Sequence, residues 1–196
     1  MLQTVIKVFT AKLEIKKSTF ISFIVPIDEF DLLHISLKNE HLKARHIVWA
    51  KRFLNEYDQI VENCSDDGEP KGTSGPPVLN VMRGNKLIDC GILIVRYFGG
   101  IKLGTGGLVR AYGGSAKAVI SDADIILYIK KEPFTFFTIY SLVPRFEHFL
   151  DKHELHVDNR EYKSDGIIWF LKLSKEEQNL FLEFASMFER EGFKVL

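Results

Sequence analysis

The sequence predicts an α+β protein built of two units, and three observations carry this. Segments of strand pattern and helix pattern follow one another through most of the chain. A nearly unbroken apolar run, Gly91-Ile92-Leu93-Ile94-Val95, lies near the middle and reads as a central strand buried on both faces. After Lys130-Lys131-Glu132-Pro133, which reads as a linker, the pattern restarts and runs strand, helix, strand, strand, helix, strand over about 63 residues.

Taken in order, Val8 to Lys16 alternates and Thr19 to Val25 is largely apolar. Two strands are expected around a turn at Lys16-Lys17-Ser18, with Pro26 ending the second. Asp28 reads as the N-cap of a helix to about Lys38 that buries Phe30, Leu33 and Leu37. His46 to Ala50 and Gln59 to Cys64 read as strands, and Ser65 to Gly75 as a loop. Pro76, favourable in a first helical turn, opens a short helix capped by Thr73 or Ser74. Ile88 to Tyr97 is the central strand and Phe98 to Gly107 a glycine loop; a helix then runs to about Asp122, and Ile125 to Ile129 is a closing strand.

In the second unit Phe134 to Leu142 is a strand and Pro144 starts a short helix over Arg145 to Lys152. His156 to Lys163 and Ile167 to Leu173 form a hairpin around Asp165-Gly166. Ser174 caps a helix from Lys175 to about Glu191, Gly192 stops it, and Phe193 to Leu196 is a last strand. This order matches a ferredoxin-like α/β sandwich. The expected units are residues 1–131 and 132–196.

Composition narrows the function classes. Apolar residues make up 46% of 196, enough for a core. Formal net charge is zero, so any nucleic-acid role must come from a local patch. Cys64 and Cys90 fall in no CxxC spacing, which fits structural thiols in a reducing compartment. The start, MLQTVIKVFT, lacks a signal-peptide pattern, and no apolar run approaches the roughly 18 residues of a membrane helix. A cytoplasmic protein with no membrane partner is expected.

Two stretches carry candidate chemistry. In Ser65-Asp66-Asp67-Gly68-Glu69-Pro70-Lys71-Gly72-Thr73-Ser74-Gly75, three carboxylates fall within four residues, ahead of two hydroxyls and a helix start. This is either a metal or polar-ligand loop, a recognition edge, or an acidic turn before a capped helix. From Arg96 to Lys117 there are seven glycines in 22 residues. Each glycine inside a helix costs roughly 1 kcal/mol against alanine, so such a cluster needs a reason. Positive φ in tight turns is one, close helix–sheet packing a second, and access of an anion to amides at a helix N-terminus a third. Charge favours the anion: from Cys90 to Ser121 there is no Asp or Glu, while Arg96, Lys102, Arg110 and Lys117 are all cations. On a helix Arg110, Gly114 and Lys117 share a face, which Gly114 leaves bare, and Leu108, Tyr112, Ala116 and Val119 point to the core. Tyr97 and Phe98 are placed to stack on bases or to fill core. His46 reads as structural in an apolar strand, though it can point at the acidic loop. No P-loop, G-x-G-x-x-G fingerprint, G-x-S-x-G elbow or H-x-x-x-H pair is present.

Taken together, Ser65 to Pro70, Gly72-Thr73 with Gly75, Val95 to Gly104 and Gly106 to Tyr112 resemble the signature of the IMPACT family, in particular its bacterial YigZ-type members. The resemblance takes in Lys16-Lys17-Ser18 with Phe20-Ile21 and covers about residues 10 to 125. Ser74 stands where members usually carry Ala, and Ala44-Arg45-His46 has less typical surroundings. The resemblance implies an N-terminal domain like ribosomal protein S5 domain 2 and a C-terminal ferredoxin-like domain. It also points to translation regulation, since eukaryotic members act through protein partners that control a stress kinase.

The leading expectation is a non-enzymatic binding protein linked to translation, holding RNA or a ribosome-associated protein on a cationic glycine-rich surface. Its candidate residues are Arg96, Gly99, Gly100, Lys102, Gly104, Thr105, Gly106, Gly107, Arg110 and Lys117. A protein-interaction module on the same face is a second reading. The third is a phosphate- or nucleotide-dependent enzyme, related in fold to the GHMP kinases, with Asp66, Asp67 or Glu69 as base or metal ligand. No cofactor and no resident metal are expected.

Overall fold

The computed structural model describes residues 1–196. Contacts divide the chain into Met1–Tyr128 and Ile129–Leu196.

In the first unit β1 is Gln3–Thr4, β2 Phe9–Ile15, β3 Ser18–Pro26, α1 Ile27–Glu40, β4 His46–Leu54 and β5 Ile60–Ser65. There follow α2 Gly75–Gly84, β6 Cys90–Tyr97, α3 Thr105–Asp122 and β7 Ile126–Leu127. Five strands form one antiparallel sheet in the order β2-β3-β6-β4-β5, so β6 is central, as expected. A continuous apolar strand is the usual mark of a parallel sheet. Here it arises because helices cover both faces of an antiparallel one. Ile92 and Ile94 of β6 pack with Val78, Met82, Leu108 and Tyr112 from α2 and α3, while Leu93 and Val95 pack with Phe30 and Leu37 of α1.

The β2–β3 turn lies where the sequence puts it. Lys16 and Lys17 both take positive φ, 47° and 66°, the mark of a two-residue hairpin whose twist matches its strands. Helix α1 starts earlier than expected. Its N-cap position is Pro26, and Asp28 makes no cap bond but lies in the first turn, where a carboxylate suits the helix dipole. The expected closing strand is only two residues long and pairs with β1, apart from the main sheet.

The second unit holds β8 Glu132–Ile139, a 3₁₀ turn Tyr140–Leu142, α4 Val143–Lys152, β9 Val157–Tyr162, β10 Gly166–Leu173, α5 Lys175–Ala185 and β11 Phe193–Val195. Its antiparallel sheet runs β11-β8-β10-β9. Ser174 and Glu177 form a capping box on α5, as the Ser174 reading anticipated. That helix gives way to 3₁₀ turn at Ser186–Phe188, short of Glu191. The core is aromatic: Trp169 stacks on Phe136 with centroids 5.6 Å apart and donates its Nε1–H to Thr138 Oγ1 at 2.9 Å. No helix of the chain is long and apolar enough to cross a membrane.

Candidate functional site

The acidic loop between β5 and α2 is organised by hydrogen bonds to its own carboxylates. Asp66 accepts from the amides of Gly72 (2.7 Å), Ser74 (3.0 Å) and Gly75 (2.9 Å) and from the Ser74 hydroxyl (2.6 Å). It therefore caps α2 from nine residues upstream. The expected local cap is not formed: Ser74 makes no side-chain cap bond, and the Thr73 hydroxyl donates to the Pro70 carbonyl. Burial pushes the Asp66 carboxyl upward, but the Ser74 hydroxyl and the three amides outweigh it and leave the group below the usual carboxylate range. Asp67 accepts from the Ile47 amide at 2.6 Å, and its carbonyl lies 2.6 Å from His46 Nδ1. A carbonyl can only accept, so His46 carries a proton on Nδ1, and in the neutral ring Nε2 is the acceptor.

Glu69 has a different position. It is 8% exposed and meets Arg96, which is 7% exposed, in a buried ion pair through Arg96 Nη1. The Tyr112 hydroxyl donates to the same carboxylate oxygen at 2.7 Å. Burial, then that bond, hold the Tyr112 hydroxyl protonated well above the usual phenol range. Arg96 is the last residue but one of β6, with Phe20 of β3 and His46 of β4 as its cross-strand neighbours. Its guanidinium lies 5.6 Å from the ring centroids of both Phe20 and Phe98. Arg96 Nε is buried and has no hydrogen-bond partner.

Beyond β6 the chain enters the glycine loop. Gly99 is pressed against the β2–β3 turn: a Cβ there would lie 2.0 Å from the Lys17 carbonyl, and the Gly99 amide donates to Ser18 Oγ at 3.2 Å. Gly104, at φ +73°, turns the chain into α3. No side chain caps α3 and no acid stands in its first turn. The first-turn amides of Thr105, Gly106 and Gly107 thus have no intrahelical acceptor.

The two loops share one cleft of about 470 Å³. Arg45 and His46 line it from the start of β4, and Gly68, Glu69 and Pro70 from the acidic loop. The rest of the lining is Arg96, Phe98, Lys102, Leu103 and Gly104, continued by Thr105 and Leu108 of α3. Of the sequence-derived candidates, Arg96, Lys102, Gly104, Thr105 and Glu69 come together here. Asp66, Asp67, Gly99, Gly100, Gly106, Gly107, Arg110 and Lys117 do not line it.

Arg110 and Lys117 are exposed, and the Arg110 guanidinium reaches back to within 3.7 Å of where a Gly106 Cβ would be. The helix face between Arg110 and Lys117 is not bare. Gly114 sits against Leu13 of β2, and Gly113 faces Val81 of α2, so these two glycines serve packing. The core face expected of α3 is present, with Leu108, Tyr112, Ala116 and Val119 buried. Arg45 had no place among the candidates; its only signal was its position in Ala44-Arg45-His46. Arg45, Lys102, Arg110 and Lys117 have no salt-bridge partner. Both cysteines are free; burial pushes the Cys90 thiol up to about 12, so it stays protonated.

Residues 16–120 match the Impact N-terminal domain. The chain is 34% identical over 159 residues to the IMPACT family member YigZ of Escherichia coli, covering 77% of this chain and 76% of that protein. It is 32% identical over 155 residues to an IMPACT family member of Haemophilus influenzae, covering 78% and 75%. A solved structure titled as that of a hypothetical protein superposes with a TM-score of 0.68 at 28% identity, over 100% of this chain and 96% of the other.

Proposed function

The chain belongs to the IMPACT family, and from that premise we propose that it is a non-enzymatic, translation-linked protein that binds RNA phosphates at the cleft between its two loops. The observation that carries this is the charge state of the cleft. Arg96 is balanced by Glu69, but Arg45 and Lys102 have no salt-bridge partner and line the same cleft as the open N-terminus of α3. Unpaired cations and free helix amides together are an anion site. Arg110 and Lys117 extend the positive charge along the exposed side of α3, a track for neighbouring phosphates. Gly100, with open space where a side chain would start, and Gly106, which meets only the Arg110 guanidinium there, keep the neighbouring backbone accessible.

The fold agrees with this direction. The order of β8 to β11, with sheet order β11-β8-β10-β9, supports a ferredoxin-like reading of the second unit. The motif resemblance supports a ribosomal protein S5 domain 2-like reading of the first. Both folds recur among translation proteins, although a fold alone fixes no function. A cytoplasmic site of action follows from the same reading. The enzymatic alternative gains nothing from this geometry, because Asp66 is engaged within its loop, Asp67 by the Ile47 amide of β4, and Glu69 by Arg96 and Tyr112.

The test is fluorescence anisotropy of a labelled single-stranded RNA titrated with the full chain at several salt concentrations. Affinity is expected to fall steeply with salt, with the slope of log affinity against log salt reduced by about 1 in Lys102→Ala and again in Arg45→Ala. Binding that ignores both salt and these substitutions overturns the proposal.

A further inference from the structure

Resting on that reading of the same site, we propose that the cleft is a seat for one ribonucleotide: phosphate at the α3 N-terminus, base against Phe98, ribose toward His46. The cleft volume, about 470 Å³, falls within the roughly 300–1,000 Å³ of small-molecule sites. That suits a single nucleotide and is far too small for a duplex.

Each part of a nucleotide meets suitable chemistry. Lys102, Gly104 and Thr105 line the cleft where α3 begins without a cap or an acid, which fits a phosphate. Arg96 points to a ligand independently of the helix end. It is more than nine-tenths buried and lines the cleft, yet its Nε–H has no acceptor within the protein. Nε itself is closed to solvent, but Glu69 takes only Nη1, which leaves Nη2 as the donor for what fills the cleft. Phe98 is 46% exposed on the same wall, with Leu103 and Leu108 beside it. An exposed aromatic side chain next to cations is a stacking platform for a base. His46, also in the wall, donates from Nδ1 to the Asp67 carbonyl and keeps Nε2 as an acceptor for a ribose hydroxyl.

Isothermal titration of the full chain with the four ribonucleoside monophosphates tests this, alongside a nucleoside, inorganic phosphate and a deoxyribonucleoside monophosphate. At least one ribonucleoside monophosphate is expected to bind one per chain and to displace labelled RNA. The nucleoside, inorganic phosphate and the deoxy analogue are each expected to bind about tenfold or more weakly, the loss of one good contact. Lys102→Ala and Phe98→Ala, both at exposed side chains, are expected to weaken nucleotide binding by about tenfold each. Lys117→Ala is expected to weaken RNA binding and leave the nucleotide untouched.

An RNA oligomer with a terminal phosphate that binds more tightly than its terminal-hydroxyl form puts an RNA end in the seat. Equal affinity for the two, with the monophosphate still bound, makes a free nucleotide the occupant. Salt-dependent RNA binding with no binding or competition by any monophosphate overturns this inference and leaves the RNA reading standing. Nucleotide binding without RNA binding does the reverse, and the absence of both overturns both.

Discussion

The two loops that line the cleft together use charge in opposite ways. The acidic loop engages every carboxylate inside the protein: Asp66 holds the start of α2, Asp67 the start of β4, and Glu69 the buried end of β6. The glycine loop and the helix after it leave Lys102, Arg110 and Lys117 without partners. Two charged stretches of similar prominence in the sequence therefore differ in kind. One is scaffold, the other is surface available to a ligand.

The sharpest way to break this contrast is Glu69→Ala. It strands Arg96 as a buried, uncompensated charge and removes the acceptor of Tyr112. Loss of one partner of a buried pair typically destabilises by about 3–5 kcal/mol, which urea denaturation followed by circular dichroism measures. A variant as stable as the parent contradicts the scaffold role. Next is Asp66→Asn, expected to destabilise by about 2 kcal/mol, the upper end for a helix cap. Its pH dependence has a definite sign. Asp66 titrates below the usual carboxylate value, so its contribution is complete above about pH 4 and fades as pH falls through the depressed value. The stability gap between parent and Asp66→Asn is therefore expected to be widest near neutrality and to close in strong acid.

On the other side, Lys102→Ala and Arg45→Ala are expected to change stability by no more than about 0.5 kcal/mol, as for surface positions, while weakening RNA binding. The smallest effect belongs to Lys117→Ala, outside the cleft. It should lower the salt slope for a longer RNA by about 1 without moving the thermal midpoint.

What was legible in the sequence divides along the same line. Local signals read well: the apolar run of β6, the Lys16-Lys17 turn, the Ser174 cap and the core stripe of α3 each depend on residues a few positions apart. The misreadings share a cause in distant partners. Asp28 looks like a cap, but the helix already begins at Ile27, whose amide donates to the distant Asp89 carbonyl at 3.0 Å. Ser74 looks like a cap, but Asp66 reaches across the loop to do that work. Gly166 looks like a turn glycine. It does close the hairpin, accepting from the Lys163 amide at 2.8 Å, but its lack of a side chain is demanded by a distant strand: a Cβ would lie 2.1 Å from the Thr138 carbonyl of β8. In the site, clustering of Lys102, Gly104 and Thr105 was visible because they are sequence neighbours. The balance of Arg96 by Glu69, 27 residues away, and the arrival of Arg45 from the residue before β4 depend on how β4, β5 and β6 are ordered in the sheet.

The contact of Gly99 with the β2–β3 turn gives the cleft a control point outside itself. The loop that carries Phe98 and Lys102 rests on the Lys17 carbonyl, and two lysines hold that turn in a left-handed backbone which glycine or asparagine adopts with less strain. Relaxing or stiffening the turn alters how firmly the loop is braced while leaving every residue that lines the cleft unchanged. On the proposed reading, affinity is open to tuning from the hairpin without editing the residues that line the cleft.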